Sequence, residues 1–156
     1  MKRKFLLPIF LFHLSIFSSQ HIKKTEFHHS NAIILFKSID IVFQPIKNNR
    51  KGKVKIQIKK DRDEKYTYRI SKEKFDEINS AILKIEYDTV AVKENSLDGS
   101  SSDITLYDSL GGKKSFFATG LNKASQTNIN QKDFWYATKL IMKAAKLKME
   151  DLIGYR

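Results

Sequence analysis

Apolar and polar residues alternate with a period of two along three neighbouring stretches of this chain. That period is typical of β-strands with one face buried and the other in water. The apolar members of the three stretches are Ile39, Ile41 and Phe43, then Val54, Ile56 and Ile58, and finally Tyr66, Tyr68 and Ile70. Short polar turns separate the stretches, so the pattern predicts an antiparallel meander of three strands, the first near residues 38–44.

Two further stretches carry apolar residues at the spacing of one helix face. Ser71 is placed to cap the first helix, and Asn128 or Asn130 to cap the second, which Gly154 is placed to end. The apolar positions are Phe75, Ile78, Ile82 and Ile85 in the first helix, and Phe134, Ile141, Ala145 and Leu152 in the second. Each stripe predicts a helix that buries one face.

Between the two helices the pattern predicts three more strands. Residues 86–92 form the first, and residues 94–103 are expected to form a loop. Residues 104–107 and 115–119 then pair as a hairpin around a Gly-Gly turn, and residues 121–130 are a polar loop. The order β-β-β-α-β-β-β-α predicts an α+β domain with an antiparallel sheet and two helices packed on one face.

The N-terminus has the layout of a secretory signal peptide. The basic residues Lys2 to Lys4 precede an apolar run over residues 5–17 and then the small residues Ser18 and Ser19. The run is shorter than the ~20 residues of a membrane-spanning helix, so no transmembrane anchor is expected after cleavage. We therefore predict a signal peptide over residues 1–19 and an exported protein that is periplasmic or secreted.

The rest of the chain is expected to hold a single domain. Residues 20–31 are polar without a clear period, which predicts a flexible tail, and residues 32–156 are expected to form one α+β domain. The sequence has no cysteine, which excludes disulfides, a thiol nucleophile and a Cys-ligated metal. Packing must therefore stabilise the domain.

Positive charge is concentrated in one segment. The chain has a formal net charge of +12, of which +9 remains without residues 1–19. Residues 47–74 hold twelve basic and four acidic residues, whereas residues 75–156 hold eleven of each sign. Five of the basic side chains share the outward parity of two neighbouring strands: Lys53, Lys55, Lys59, Lys65 and Arg69. They predict an anion-binding surface for an anionic polymer, lipid headgroups or an exported protein.

A solvated sheet face in a lysine-rich protein is the other explanation of these charges. The chain has 24 Lys and 5 Arg, and Arg is the residue that makes bidentate contacts with anions. Nucleic acid is not an expected partner, because Tyr66 and Tyr68 take the core parity and leave no aromatic platform among the charges. The oligomeric state stays open.

Motifs for catalysis or metal binding are sparse. Ser100, Ser101 and Ser102 stand beside Asp103, but no histidine falls in the predicted domain to act as a base. The histidines that follow the signal lie in the predicted tail: His21, His28 and His29. His21 completes a square-planar Cu(II) or Ni(II) site only if cleavage follows Ser18. No other metal site and no cofactor are predicted.

Two pairs of carboxylates keep a hydrolase of the cell envelope as an alternative. Glu86 and Asp88 share one face of an expected strand, and Asp98 and Asp103 share the expected loop. Two neighbouring carboxyl groups can divide the acid and base roles of a hydrolysis between them. The sequence gives these acids no environment that would raise a pKa, so a binding role is favoured over an enzymatic one.

Adjacent aromatic residues in the closing helix cannot all point inwards. Trp135 or Tyr136 is therefore expected to be partly exposed and is a candidate partner contact. With its signal, its length, the Leu97 to Ser100 turn before a strand and the closing helix, the chain resembles small exported proteins of unknown function from Gram-negative bacteria with AT-rich genomes. The resemblance implies no activity and assigns no residue a role. The sequence favours an exported, non-enzymatic binding protein.

Overall fold

The computed structural model describes residues 21–31, 37–47, 50–61, 64–86 and 99–153. A six-stranded antiparallel sheet and three α-helices in these ranges make an α+β fold, which confirms the predicted fold class. No helix in this part of the chain has the length and apolar character needed to cross a membrane. The signal peptide over residues 1–19, most of the strand expected over 86–92 and the helix stop at Gly154 lie outside the described residues.

The described chain forms four strands, one helix, two strands and two helices. The strands are β1 (Ile22–Asn31), β2 (Ser38–Pro45), β3 (Lys53–Lys60), β4 (Glu64–Ser71), β5 (Ser100–Asp108) and β6 (Lys113–Thr119). The helices are α1 (Lys72–Leu83), α2 (Lys132–Ala144) and α3 (Glu150–Ile153), and a 3₁₀ turn at Lys123–Gln126 precedes α2. The strand order in the sheet is β4-β3-β2-β1-β5-β6, which makes β1 central and β4 and β6 the edges.

One face of the sheet carries the core. The alternation predicted for the meander is confirmed, and Phe43, Ile56 and Tyr68 lie opposite one another on β2, β3 and β4. Helix α1 packs on this face, with the ring of Phe75 centred 6.3 Å from that of Phe43. Each such apolar side chain contributes ~1.5–3 kcal/mol when it is fully buried. The opposite side, which we call the outer face, carries the polar members of the alternation.

The two tyrosines of β4 are less buried than their parity predicts. Tyr66 is 42% exposed, and Tyr68 is only half-buried against the core, where the Lys146 ammonium lies 4.4 Å from its ring centroid. The reason is that β4 is an edge strand, so its inner side chains have a strand neighbour on one side only.

The flexible tail predicted over residues 20–31 is wrong, because Ile22–Asn31 forms strand β1 in the interior of the sheet. Its inner side chains are Thr25, Phe27 and His29, of which only Phe27 is a large apolar residue. Thr25 donates a hydrogen bond of 2.7 Å to Asn79, and a His29 ring nitrogen lies 2.8 Å from the Ser102 hydroxyl. Polar partners from distant segments therefore form hydrogen bonds with the inner side chains of a strand whose own pattern is weakly apolar.

The loop predicted over residues 94–103 is also wrong in its last part. Strand β5 begins at Ser100, and its first inner residue, Ser102, is the buried partner of His29. In the polar loop expected over residues 121–130, Asn122 caps the 3₁₀ turn. The serine-rich start of β5, Ser100 to Ser102, lacks apolar alternation, so its pairing with β1 was not visible in the sequence.

Helix α1 begins as predicted, whereas the closing helix is interrupted. The Ser71 hydroxyl accepts a hydrogen bond of 3.3 Å from the Lys74 main-chain N–H, which confirms the cap. The second helix begins after Gln131, so neither Asn128 nor Asn130 caps it, and it ends at Ala144. Lys146 has a φ of 59° and closes α2 with a Schellman motif before α3 starts. A lysine in this left-handed conformation lacks the glycine that normally marks such a stop.

Candidate functional site

All six strands contribute polar side chains to the outer face. Because the core and α1 occupy the other face, the side chains of opposite parity on β1 to β6 point away from the packed interior. The antiparallel register aligns these side chains in rows that run across the strands. This face therefore brings together charged residues that are far apart in the sequence.

The five predicted anion-binding residues lie together on β3 and β4. Lys55 lies directly opposite Arg69, and Lys59 lies directly opposite Lys65. Lys53 continues the line on β3, opposite Ser71. We call this set the basic stripe: Lys53, Lys55, Lys59, Lys65 and Arg69. Three members are exposed, namely Lys59, Lys65 and Arg69, whereas Lys53 and Lys55 are half-exposed.

Most of the basic stripe is not neutralised by neighbouring carboxylates. Lys53 lies within electrostatic reach of Glu73. The other four cations form no ion pair with another residue in the described ranges. Like charges placed directly opposite each other across two strands are destabilising. The stripe is therefore a local excess of positive charge, and Asp40, the carboxylate opposite Lys59 on β2, pairs with a histidine rather than with that lysine.

Acidic residues surround a histidine on the neighbouring strands, a feature that the sequence analysis missed. His28 lies opposite Asp40 on β2 and opposite Asp103 on β5, and its Nδ1 is 2.5 Å from the Asp40 Oδ1. Glu26 lies on the same side of β1. We call this set the acidic cluster: Glu26, His28, Asp40 and Asp103. The outward parity of Asp40 was visible in the sequence, but its partners lie on strands that were predicted to be tail and loop.

The electrostatics of the acidic cluster differ from one carboxylate to the next. Partial burial raises the pKa of Asp103, and the nearby Asp40 and Glu26 add to the rise, while His28 and Lys113 oppose it. Burial also opposes ionisation of Glu26, but hydrogen bonds from Lys24 and Tyr107 outweigh it and lower the pKa of that carboxyl. The Tyr107 hydroxyl donates a hydrogen bond of 2.6 Å to the Glu26 carboxylate, and the Lys24 ammonium lies 2.8 Å from the same carboxylate. Glu26 is thus held ionised.

The carboxylates expected to serve a hydrolase are not assembled as the sequence suggested. Asp103 lies on β5 rather than in a loop, and Glu86 is exposed, while Asp88 and Asp98 lie outside the described residues. Asp103 instead joins the acidic cluster, which lies on an open sheet face where the His28 and Asp40 side chains are 45% and 39% exposed. Such a face holds the acids in water rather than around an enclosed substrate.

The fold also creates a serine–histidine pair that the sequence analysis did not foresee. His29 Nδ1 lies 2.8 Å from the Ser102 hydroxyl oxygen, a distance that would suit a base and its nucleophile. Both residues are only 1% exposed, so a substrate cannot reach the hydroxyl. His29 Nε2 has no hydrogen-bond partner among the described residues. The pair is a buried polar contact inside the core.

The remaining candidate residues are distributed over separate surfaces. Trp135 is 7% exposed and packs in the core, so it cannot serve as the expected partner contact, whereas Tyr136 is 53% exposed. His21 is exposed at the start of β1, and its main-chain carbonyl accepts a hydrogen bond from Ser109. Across the described ranges, no group of three or more His, Asp or Glu side chains is arranged to hold a metal ion.

The sequence matches no protein-family model and no curated protein. The function must therefore be inferred from the chemistry of the outer face and from the sequence itself.

Proposed function

We propose that this chain is an exported, non-enzymatic binding protein whose basic stripe binds an anionic macromolecule. The observation that carries the proposal is that two pairs of like-charged residues lie directly opposite each other across β3 and β4, Lys55 with Arg69 and Lys59 with Lys65. None of these four side chains forms an ion pair with a carboxylate among the described residues. An arrangement that costs stability in the free protein becomes favourable once anions occupy it.

Protection of a sheet edge accounts for only two of the five members of the basic stripe. Charged side chains on an edge strand discourage pairing with another chain, and Lys65 and Arg69 on β4 would serve that purpose. Lys55 and Lys59 lie on β3, which is paired on both sides and needs no such protection. Their presence beside the edge charges supports a role in recognition.

The composition of the basic stripe predicts how it binds. Four of its five members are lysines, whose ammonium groups act as point charges without the bidentate geometry of arginine. Exposed contacts of this kind are worth ~0.2–1 kcal/mol each. They are screened with a Debye length of ~8 Å at physiological ionic strength. Binding should therefore be moderate in affinity, tolerant of ligand sequence and strongly weakened by salt.

The expected export of the protein limits which anions it meets. A signal peptide over residues 1–19 delivers the chain to a compartment that contains acidic polysaccharides, lipid headgroups and acidic exported proteins. The hydrolase alternative draws on the raised pKa of Asp103. We favour binding, because the acidic cluster lies on an open surface whereas the basic stripe carries the unbalanced charge.

Charge reversal tests the proposal. The probes are alginate, a linear carboxylate polymer, and vesicles that contain phosphatidylglycerol, each titrated with the protein from low to physiological salt. The double variant Lys55→Glu, Lys59→Glu should bind its preferred probe at least about tenfold more weakly, since two attractive contacts become repulsive. The matched control Lys132→Glu, Lys139→Glu changes the net charge equally on exposed positions of α2 and should bind nearly as the wild type does.

Circular dichroism should show that both variants stay folded, because exposed substitutions usually change stability within ~0.5 kcal/mol. If the wild-type protein binds neither probe, the proposed function is wrong. It is also wrong if both double variants lose binding equally, since that result assigns the binding to overall charge.

A further inference from the structure

We infer that the ligand is a single, narrow anionic chain that lies along β3 and β4, and that a flat anionic bilayer is excluded from this face. The inference rests on the proposed function and specifies the shape of the ligand. The outer face is not uniformly basic, because the acidic cluster occupies the strands next to the basic stripe. The distribution of charge across the strands therefore limits which anions fit.

The basic stripe is long and narrow. It spans two neighbouring strands, which lie ~4.8 Å apart, so its width is about 10 Å with side chains included. Lys53 and Lys59 mark its ends on β3, and a rise of ~3.3 Å per residue places them about 20 Å apart. Beyond Lys53, the turn between β2 and β3 adds the exposed Lys47 and Arg50 in the direction of the strands. These dimensions fit one extended polymer chain.

The acidic cluster begins on the adjoining strand. Asp40 on β2 lies directly opposite Lys59 on β3, and its carboxylate pairs with His28 rather than with that lysine. Glu26 and Asp103 extend the acidic cluster across β1 and β5, where Lys24 pairs with Glu26 and Lys113 partly offsets the charge of both carboxylates. Asp40 lies one strand spacing from β3, Glu26 two and Asp103 three, and the first two distances are comparable to or shorter than the ~8 Å Debye length. An anion that spreads from β3 towards β1 therefore meets repulsion.

A bilayer and a polymer chain meet this boundary differently. A flat membrane pressed on the outer face covers all six strands, about 25 Å, and brings its phosphates against the acidic cluster. A single polymer chain needs only the two basic strands. On the far side of β4 the described chain adds no further strand, so the free edge leaves room for the polymer. The acidic cluster thus acts as a selectivity element beside the binding stripe.

The test compares one variant and one matched control at pH 7.5, with alginate and phosphatidylglycerol vesicles as the probes. The variant Asp40→Asn, Asp103→Asn removes the acid directly beside the basic stripe and a second acid of the same cluster on β5. The control Asp76→Asn, Glu77→Gln removes two exposed acids from α1 and raises the net charge equally. Removal of these two acids should strengthen vesicle binding by about fivefold or more relative to alginate binding. The control should leave the ratio of vesicle affinity to alginate affinity within about twofold of the wild-type value.

The outcomes separate this inference from the proposed function. Both the inference and the proposed function are supported if the wild-type protein binds alginate about tenfold more tightly than vesicles. This ratio of affinities should narrow in the Asp40→Asn, Asp103→Asn variant and not in the control. Wild-type protein that binds vesicles as tightly as alginate, through Lys55 and Lys59, overturns the inference and leaves the proposed function in place. A ratio that the Asp40→Asn, Asp103→Asn variant does not change also overturns the inference. Loss of all binding by the wild-type protein overturns both.

Discussion

Acid should destabilise this protein, because the buried His29 resists protonation in the folded state. The side chain is 1% exposed, and its Nδ1 lies 2.8 Å from the Ser102 hydroxyl oxygen. Burial, together with the nearby His28 and Lys37, lowers the pKa of His29 to about 4, and the main chain of Leu152 opposes the change only in part. In the unfolded chain the same imidazole has an ordinary pKa of ~6.5.

The sign of the effect follows from the lowered pKa. As the pH falls below ~6.5, the unfolded chain binds a proton at His29 that the folded protein does not bind until the pH approaches 4. Stability is therefore fully present above the unfolded pKa and is lost as the pH falls between these two values. A difference of ~2.5 pKa units corresponds to ~3 kcal/mol in total, of which ~2.5 kcal/mol is lost by pH 4.5.

Urea denaturation at pH 7.5 and pH 4.5 measures this loss in the wild-type protein and in His29→Gln. Glutamine retains a hydrogen-bonding group for Ser102 but does not titrate. The wild-type protein should lose ~2.5 kcal/mol more than the variant between the two pH values. Carboxylates such as Asp151, whose pKa is also lowered, contribute equally to both proteins and cancel in the comparison. An equal loss in the two proteins refutes the reasoning about His29.

Two further predictions concern the core and the N-terminus. Ile82 is fully buried on α1, so Ile82→Ala should lower the free energy of unfolding by ~2–5 kcal/mol in chemical denaturation. A change below ~0.5 kcal/mol would contradict the assignment of Ile82 to the buried face of this helix. The signal peptide should be removed on export, so mass spectrometry of the exported protein should show a mass that lacks residues 1–18 or 1–19. An exported pool that retains Met1 would show that the N-terminus is not a cleaved signal.

The parts of the fold that could be predicted are those whose inner residues are apolar. Val54, Ile56 and Ile58 alternate with polar residues on β3, so the period of the strand could be read without knowledge of its neighbours. Ser71 likewise predicts the start of α1, because its N-cap hydrogen bond is formed within the first turn of the helix. Local chemistry was sufficient for these elements.

The elements that could not be predicted depend on partners from distant segments. Thr25 and His29 on β1 face the core, where they form hydrogen bonds with Asn79 and Ser102 from distant segments. Without that knowledge the segment has the polarity of an exposed tail. The interruption after α2 at Lys146 was hidden for a similar reason, because a lysine in the left-handed region carries no sequence signal of a helix end.

The candidate site divides in the same way. The basic stripe was predictable, because Lys55 and Lys59 share the parity of one strand and need no knowledge of the neighbouring strands. The acidic cluster was not, because His28, Asp40 and Asp103 meet only through the pairing of β1 with β2 and β5. The boundary between the two charge regions is therefore a property of the sheet order, which the alternation alone does not determine.

Mapping the bound polymer on the protein tests the central claim most directly. Alginate would be titrated into ¹⁵N-labelled protein at low salt, and amide shifts would be followed by NMR. We predict that the shift changes concentrate on Lys53–Lys60 and Glu64–Ser71, that they weaken as salt is added, and that β1, β5 and α2 change little. Shift changes centred on the helices or on β6, or the absence of any change at low salt, would contradict the assignment of the basic stripe as the binding surface.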